Sequence, residues 1–271
     1  MRRRLDVELV RRGLAPSRTR AVDVISAGRV CVSGALATTA ARQVDAAEAI
    51  VVAPEPTGPD FVSRGGRKLI GALDAFCVDV AGRRAVDVGA STGGFTDCLL
   101  RRGAVHVVAI DVGRGQLAWS LRNDERVTVM ERTNVRELAR GAVDPAADLC
   151  VADLSFISLR TVAPNLCELT TPGADFVLLV KPQFEAGRAR IGKGGIVRDP
   201  VVHVAVLQEV VTGLDGSGLG VRALAVSPLR GADGNIEFFA HARRAPAAVG
   251  QSDIDEVVGI AHAEAAPVPG A

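Results

Sequence analysis

Three lysines, Lys68, Lys181 and Lys193, stand among 32 basic residues; arginine supplies the rest. Arginine keeps its proton at physiological pH, whereas a lysine amine can release one, so lysines in such a chain mark positions where a proton could be moved. A second set of polar residues interrupts or ends apolar runs: Asp87 in AVDV, Asp111 after VHVVAI, Asp153 after DLCVA and Lys181 after FVLLV. Ligands of open α/β sheets bind beyond the carboxyl ends of the strands, so these four residues are expected along one edge. Polar capping of a strand explains any one of them and explains four together poorly.

The stretch DVGASTGGFTD, Asp87 to Asp97, follows a short apolar run and leads into Leu99 and Leu100. This reads as a buried strand, a tight glycine turn and a helix start. Gly89, Gly93 and Gly94 let backbone approach a ligand closely. A helix beginning near Ser91 or Thr92 would direct free amides and a positive dipole end into the same crevice. A nucleotide-like ligand is predicted there. The dinucleotide pattern G-x-G-x-x-G and the P-loop are both absent, leaving the glycine turn of S-adenosylmethionine enzymes. Asp111 lies 24 positions beyond Asp87, near the spacing at which an acid meets ribose hydroxyls.

The elements that must position these groups alternate. Strands are expected at 85–88, 105–113, 127–131, 148–156 and 176–185, then at 221–226 and 235–242, the last carrying Glu237. A helix is expected over 201–214. Strands alternating with helices predict a doubly wound α/β fold. At 271 residues the chain holds one such domain plus something smaller. Its 48% hydrophobic and 3% aromatic content predicts an aliphatic core. No apolar run approaches about 18 residues, and MRRRLDVEL has no apolar secretory core, so a cytoplasmic protein is expected. Five scattered cysteines without a C-x-x-C pair fit reduced thiols, and four dispersed histidines argue against a metal site.

Residues 1–30 carry eight arginines against three acids, a balance of +5 where the whole chain has +1. A basic head on a near-neutral body suggests a polyanionic partner. Short helices at 5–12 and 18–27, the latter with Ala21, Val22, Val24 and Ile25 inward, and small strands at 28–34 and 49–52 make a separate α+β module. The boundaries drawn are 1–58 for the head, 59–63 for a linker, 64–244 for the α/β domain and 245–271 for a flexible tail with a short helix near 254–263. The glycine- and arginine-rich segment 183–199 is expected to be a mobile loop whose Arg188, Arg190 and Lys193 meet phosphate.

Two resemblances add to this reading. SRTRAVDVISAGRVCVSG, Ser17 to Gly34, resembles the RNA-binding domain named after small-subunit ribosomal protein four. That implies phosphate contacts from Arg4, Arg11, Arg18, Arg20 and Arg29, with shape rather than base readout. DVGASTGGFT resembles the first motif of heat-shock-type (FtsJ-like) ribose methyltransferases. With VSRGGRKL, GQLAWSLRND, VADLSFISL, LLVKPQFE and GNIEFF in order, nearly the whole chain resembles the TlyA family, bacterial ribosomal-RNA 2′-O-ribose methyltransferases of which some carry the name haemolysin. The fold implied is Rossmann-like, that of a class I S-adenosylmethionine-dependent methyltransferase.

The same resemblance implies a Lys-Asp-Lys-Glu tetrad, filled by Lys68, Asp153, Lys181 and Glu237. A ribose hydroxyl must shed its proton as it attacks, and a lysine amine takes it only if its pKa falls from about 10.4 towards neutrality. A neighbouring cation and burial both push that way. Lys181 is assigned as the base, Asp153 as its orienting partner and sulfonium stabiliser, Lys68 as the electrostatic tuner and Glu237 as the holder of the lysines. Gly89, Ser91, Gly93 and Gly94 would cradle the methionine end, Asp87 face its amine, Asp111 take the ribose hydroxyls, and Thr133 and Asn134 lie near adenine. The implied partner is ribosomal RNA in the 30S or 50S subunit, with cytidines of 16S and 23S RNA the expected targets.

Rival readings are a membrane-active haemolysin, a non-catalytic ribosome-binding factor and a pseudouridine synthase with the same basic head. The missing signal and span oppose the first and the filled tetrad opposes the second. A pseudouridine synthase needs neither the glycine turn nor these lysines.

Overall fold

Runs such as VHVVAI and LCVA are apolar on both faces, and strands of that kind belong in the middle of a covered parallel sheet. The computed structural model describes residues 2–26, 28–53, 61–192 and 194–263. The chain divides into two units, Met1–Gly58 and Pro59–Ala271.

In the first unit, β1 (Arg3–Arg4) runs into α1 (Leu5–Arg11) and α2 (Arg18–Ser26), followed by β2 (Val30–Val32), β3 (Ala35–Leu36), β4 (Gln43–Val44) and β5 (Ile50–Val52). β3, β2 and β5 form an antiparallel sheet, and β1 pairs with β4. Leu5, Leu9, Ala21, Val24, Ile25, Val30 and Val32 make its core. Val22, expected inward, is 39% exposed. The buried face follows the helical spacing of 21, 24 and 25, which turns 22 towards water.

The second unit runs α3 (Arg64–Ala75), β6 (Arg84–Val88), α4 (Gly94–Arg101), β7 (His106–Ile110), α5 (Trp119–Arg122), β8 (Val127–Met130), β9 (Ala147–Ala152), α6 (Leu159–Glu168), β10 (Thr170–Val180), α7 (Pro182–Glu185), α8 (Pro200–Asp215), β11 (Gly220–Val226), β12 (Phe238–Arg243) and α9 (Gln251–Ala263). The sheet order is β11-β12-β10-β9-β6-β7-β8. Neighbours from β10 to β8 are parallel, whereas β12 is antiparallel to both β10 and β11. Helices cover both faces. Phe238 and Phe239, successive on β12, enter opposite cores, one with Phe176 and Val206, the other with Leu69 and Phe95.

Strand ends place the polar residues. Asp153 and Lys181 come immediately after β9 and β10. Glu237, expected on the last strand, instead comes immediately before β12. Because β12 runs against β10, with Val180 opposite Phe238, the residue before one strand and the residue after the other meet at the same edge.

The short helix expected near 254–263 is present as α9 over 251–263 and is packed into the core, not part of a loose tail. There α9 buries Ile254, Val257, Val258 and Ala261 in the main core, the i, i+3, i+4, i+7 pattern of an amphipathic helix. His262 in its last turn meets His203 of α8, Nδ1 of His203 lying 2.8 Å from Nε2 of His262. Residues 264–271 lie outside the described residues, as do Pro59 and Asp60 of the proposed linker.

Candidate active site

The glycine turn follows β6. Gly89 has φ +86°, and a β-carbon there would lie 2.5 Å from the carbonyl oxygen of Asp153. Gly93, at φ +95°, would drive a β-carbon to 2.3 Å from the Leu121 side chain. The first is bare to let two strand ends approach, the second to let α5 close under the turn. The helix begins at Gly94, later than the expected Ser91 or Thr92.

Two clefts meet over this turn and share Gly89, Ser91 and Asp153. One, of about 220 Å³, is bounded by the turn, Gly94, Lys68 and the start of α3. The other, of about 370 Å³, is bounded by Asp111, Thr133, Asn134 and the segment Leu154–Ile157. Asp111 accepts the backbone amides of Ser91 at 2.7 Å and Gly113 at 2.6 Å, which fixes it at the junction. Asn134 caps a short 3-10 turn through the Arg136 amide at 3.1 Å. A bipartite crevice with a glycine-lined half and an acid-and-amide half fits an amino-acid moiety joined to a nucleoside.

The four tetrad positions come together as two ion pairs. Lys68 Nζ lies 2.5 Å from Glu237 Oε2, with both side chains almost fully buried. Lys181 Nζ lies 2.5 Å from Asp153 Oδ1 and donates to Ser155 Oγ at 3.1 Å. Lys68 and Asp153 line the same cleft. Glu237 was expected to hold both lysines; it holds Lys68, and Asp153 holds Lys181. Lys181 also sits 5.8 Å above the Phe184 ring, which packs at 4.9 Å against Phe156, a residue 90% exposed with φ +66°.

Asp87 requires a correction. It is fully buried and lines neither cleft; one oxygen accepts the Thr96 hydroxyl at 2.7 Å. Burial pushes its carboxyl up to about 7, the Thr96 hydrogen bond working against this and the Asp153 charge with it. It therefore braces the turn from behind instead of facing a ligand. Gly93, likewise, packs below the turn and lines neither cleft.

The arginines sort unevenly. Arg188 is exposed with no partner among the described residues. Arg190, expected to meet phosphate, is instead taken by Glu209 at 2.7 and 3.0 Å and by the Ala186 carbonyl at 2.6 Å. The segment 183–199 is likewise pinned where it is described, since buried Asn235 accepts the Val197 amide at 2.9 Å and donates to the Gly195 carbonyl at 3.1 Å. Lys193 lies outside the described residues. In the first unit, Arg4 and Arg18 pair with Asp6, Arg11 pairs with Glu8, and half-buried Arg29 donates to the Ala53 carbonyl. Arg20 is half-buried on α2.

Sequence reading passed over Ser63, Arg64 and Gly65, which line the smaller cleft. Ser63 caps α3 by position without using its hydroxyl for the cap, and a β-carbon on Gly94 would stand only 2.2 Å from that hydroxyl. The signal was present in VSRGGRKL, but which end of α3 faces the turn depends on its packing against α4.

A glycine turn after the first parallel strand, an acid after the second and a sheet closed by one antiparallel strand define a class I S-adenosylmethionine-dependent methyltransferase, with S-adenosylmethionine as methyl donor. Its glycine cradle and its bipartite crevice are the features that fit the donor. The chain belongs to the FtsJ-like methyltransferase family, whose model matches residues 61–244, and within it to the TlyA family. An S4 domain matches residues 3–50. The chain is 52% identical over 238 residues, 88% of each chain, to the 16S/23S rRNA (cytidine-2′-O)-methyltransferase TlyA of Mycobacterium tuberculosis (strain H37Rv). It is 39% identical over 239 residues, 88% of this chain and 98% of the other, to hemolysin A of Brachyspira hyodysenteriae. A solved structure from Streptococcus thermophilus, named as a hemolysin, matches with TM-score 0.78 and 39% identity over 97% of this chain and 96% of the other. No helix among the described residues is long and apolar enough to cross a membrane.

Proposed function

We propose that this enzyme methylates the ribose 2′-hydroxyl of cytidines in ribosomal RNA, in the 16S, the 23S or both, and does so where ribosomes are, in the cytoplasm. The observation that carries the reading is the pair of lysine–carboxylate contacts, Lys181–Asp153 and Lys68–Glu237, bordering a crevice shaped for the donor. The relative that is 52% identical supports the choice of cytidine and of ribosomal RNA.

When bound, S-adenosylmethionine supplies an electrophilic methyl group on a positively charged sulfur. Gly89, Ser91 and Gly94 hold its methionine end, helped by Ser63 and Arg64; Asp111, Thr133 and Asn134 hold the nucleoside. Lys181 Nζ takes the proton of the ribose hydroxyl, and Asp153 keeps that amine aimed while its own charge favours cation nearby. Lys68, fixed by Glu237, stands in the wall of the cleft that Asp153 shares. Much of the remaining acceleration comes from holding hydroxyl and donor in line. Basic residues of the first unit and Arg188 supply the salt-dependent grip on the RNA backbone.

The test offers methyl-labelled S-adenosylmethionine to purified 30S and 50S subunits with wild type and Lys181→Ala, followed by mapping of the labelled nucleotide. Label on a cytidine 2′-oxygen from wild type alone is expected. Failure of wild type to label either subunit would end this reading, and equal labelling by Lys181→Ala would end the assignment of the base.

A further inference from the structure

The arginines of the first unit are attached to it in two different ways. Arg12 is almost saturated, with four of its five N–H donors used: Nε on Glu8, and its two terminal nitrogens on the carbonyls of Glu48, Asp45 and Ala46, with the side chain 21% exposed. That arginine closes the fold. Arg4 and Arg11 are docked side-on instead. Arg4 places Nε and Nη2 on the two oxygens of Asp6, both at 3.0 Å. Arg11 places Nε and Nη2 on the two oxygens of Glu8 at 2.8 and 2.6 Å. Arg18 reaches across from α2 to the same Asp6 oxygen as Arg4, at 3.0 Å.

A guanidinium carries five N–H donors in a rigid fork, and side-on docking uses two. The remaining edge of Arg4 and of Arg11 has no partner among the described residues, and these side chains are 46% and 50% exposed. Their acids are the reverse, 1% exposed each and buried in α1. Asp6 is locked further by the Val7 amide at 2.9 Å. Each acid therefore works from below the surface, and each free fork points away from it. A free edge of that shape matches two oxygens of a phosphate. An arginine already fixed by folding also loses less rotamer freedom when a phosphate arrives.

We infer that Asp6 and Glu8 are positioning residues that hold Arg4 and Arg11 as preset forks, with Arg18 tied to the same Asp6, for the phosphates of a structured RNA. This rests on the reading of the first unit as RNA-directed. By charge alone, removing an acid from a basic surface strengthens polyanion binding. The anchor arrangement gives the opposite sign.

The experiment measures the affinity of the full chain for ribosomal subunits across a salt series, together with the methylation KM and kcat and a thermal melt. Arg4→Lys and Arg11→Lys keep the charge but cannot dock side-on. Each is expected to weaken binding about three- to tenfold, with the salt slope and melt of the wild type and with the loss falling on KM rather than kcat. Asp6→Asn is expected to weaken binding despite the added positive charge, and Arg4→Lys on that background to add little. Wild-type or tighter binding by Asp6→Asn, or wild-type binding by both lysine variants, overturns the inference. If Asp6→Asn melts the first unit, the lysine variants alone decide. A triple Arg4→Ala/Arg11→Ala/Arg18→Ala variant separates the two levels: wild-type binding by it overturns the RNA-directed reading and the anchors together, whereas weakened binding beside a neutral Asp6→Asn overturns the anchors only.

Discussion

The α-carbon of Gly89 and the carbonyl oxygen of Asp153 are so close that a β-carbon on the glycine would stand 2.5 Å from that oxygen. The glycine turn and the Asp153–Lys181 pair are thus separated by one layer of backbone.

Gly89→Ala meets both this clash and a φ of +86°. The strain is expected to cost about 1–3 kcal/mol, with a thermal midpoint lower by roughly 2–10 °C. Donor affinity, read by calorimetry, is expected to fall at least about tenfold because relief of the clash moves Ser91 or Asp153. Unchanged affinity would show that the turn does not hold the donor.

Lys181→Ala and Lys181→Arg distinguish charge from proton transfer. Arginine preserves the pairing with Asp153 but cannot act as a base at neutral pH. Both variants are expected to lose about 10²- to 10⁴-fold in single-turnover methylation while donor binding stays within a few-fold of wild type. Near-wild-type turnover by Lys181→Arg would reduce the role of this residue to electrostatics.

The Lys68–Glu237 pair is nearly dry, so breaking it on one side leaves an uncompensated charge. Glu237→Gln is expected to lower the unfolding free energy by about 3–5 kcal/mol. Adding Lys68→Met to that variant is expected to recover most of the loss without recovering activity. Urea denaturation read beside methylation keeps the two effects apart.

His203 gives the stability a pH limit. Burial pushes its imidazole down to about 4, with the His262 charge adding to the shift. It is neutral in the fold and takes a proton below about 6.5 when unfolded. Its contribution is therefore intact above about pH 6.5 and is lost as pH falls towards 4. The urea midpoint is expected to drop across that window, and His203→Gln to flatten the drop. An equally steep profile in the variant would place the titration elsewhere.

Much of the α/β order was legible because buried parallel strands read as largely apolar runs: VDV, VVAI, LCVA and VLLV form the carboxyl-terminal parts of β6, β7, β9 and β10. The convergence of Asp153 and Lys181 was legible from their strand ends, whereas the meeting of Lys68 and Glu237 was legible only through family motifs. Lys68 and Glu237 are 169 positions apart, and no local pattern states that β12 runs antiparallel. Arg190 and Arg188 look alike in GRARIGKGG; what separates them is Glu209, supplied by α8. Asp87 was misread because its strand position says that it alternates, and not which face the turn will seal. The helix expected near 254–263 is there as α9, but the alanine- and proline-rich neighbourhood hid that it packs into the main core.

The position of β12 gives the enzyme a biosynthetic property. This strand enters between β10 and β11, late in the chain, and brings Glu237 to a lysine that was made 169 residues earlier. Closing so long a loop costs more chain entropy than pairing β12 with its sequence neighbour β11. Until it closes, the donor crevice has its glycine turn but lacks one of its two charge pairs. A chain interrupted before β12 is left with Lys68 uncompensated in the wall of that crevice, so the second charge pair forms only once Glu237 has been made.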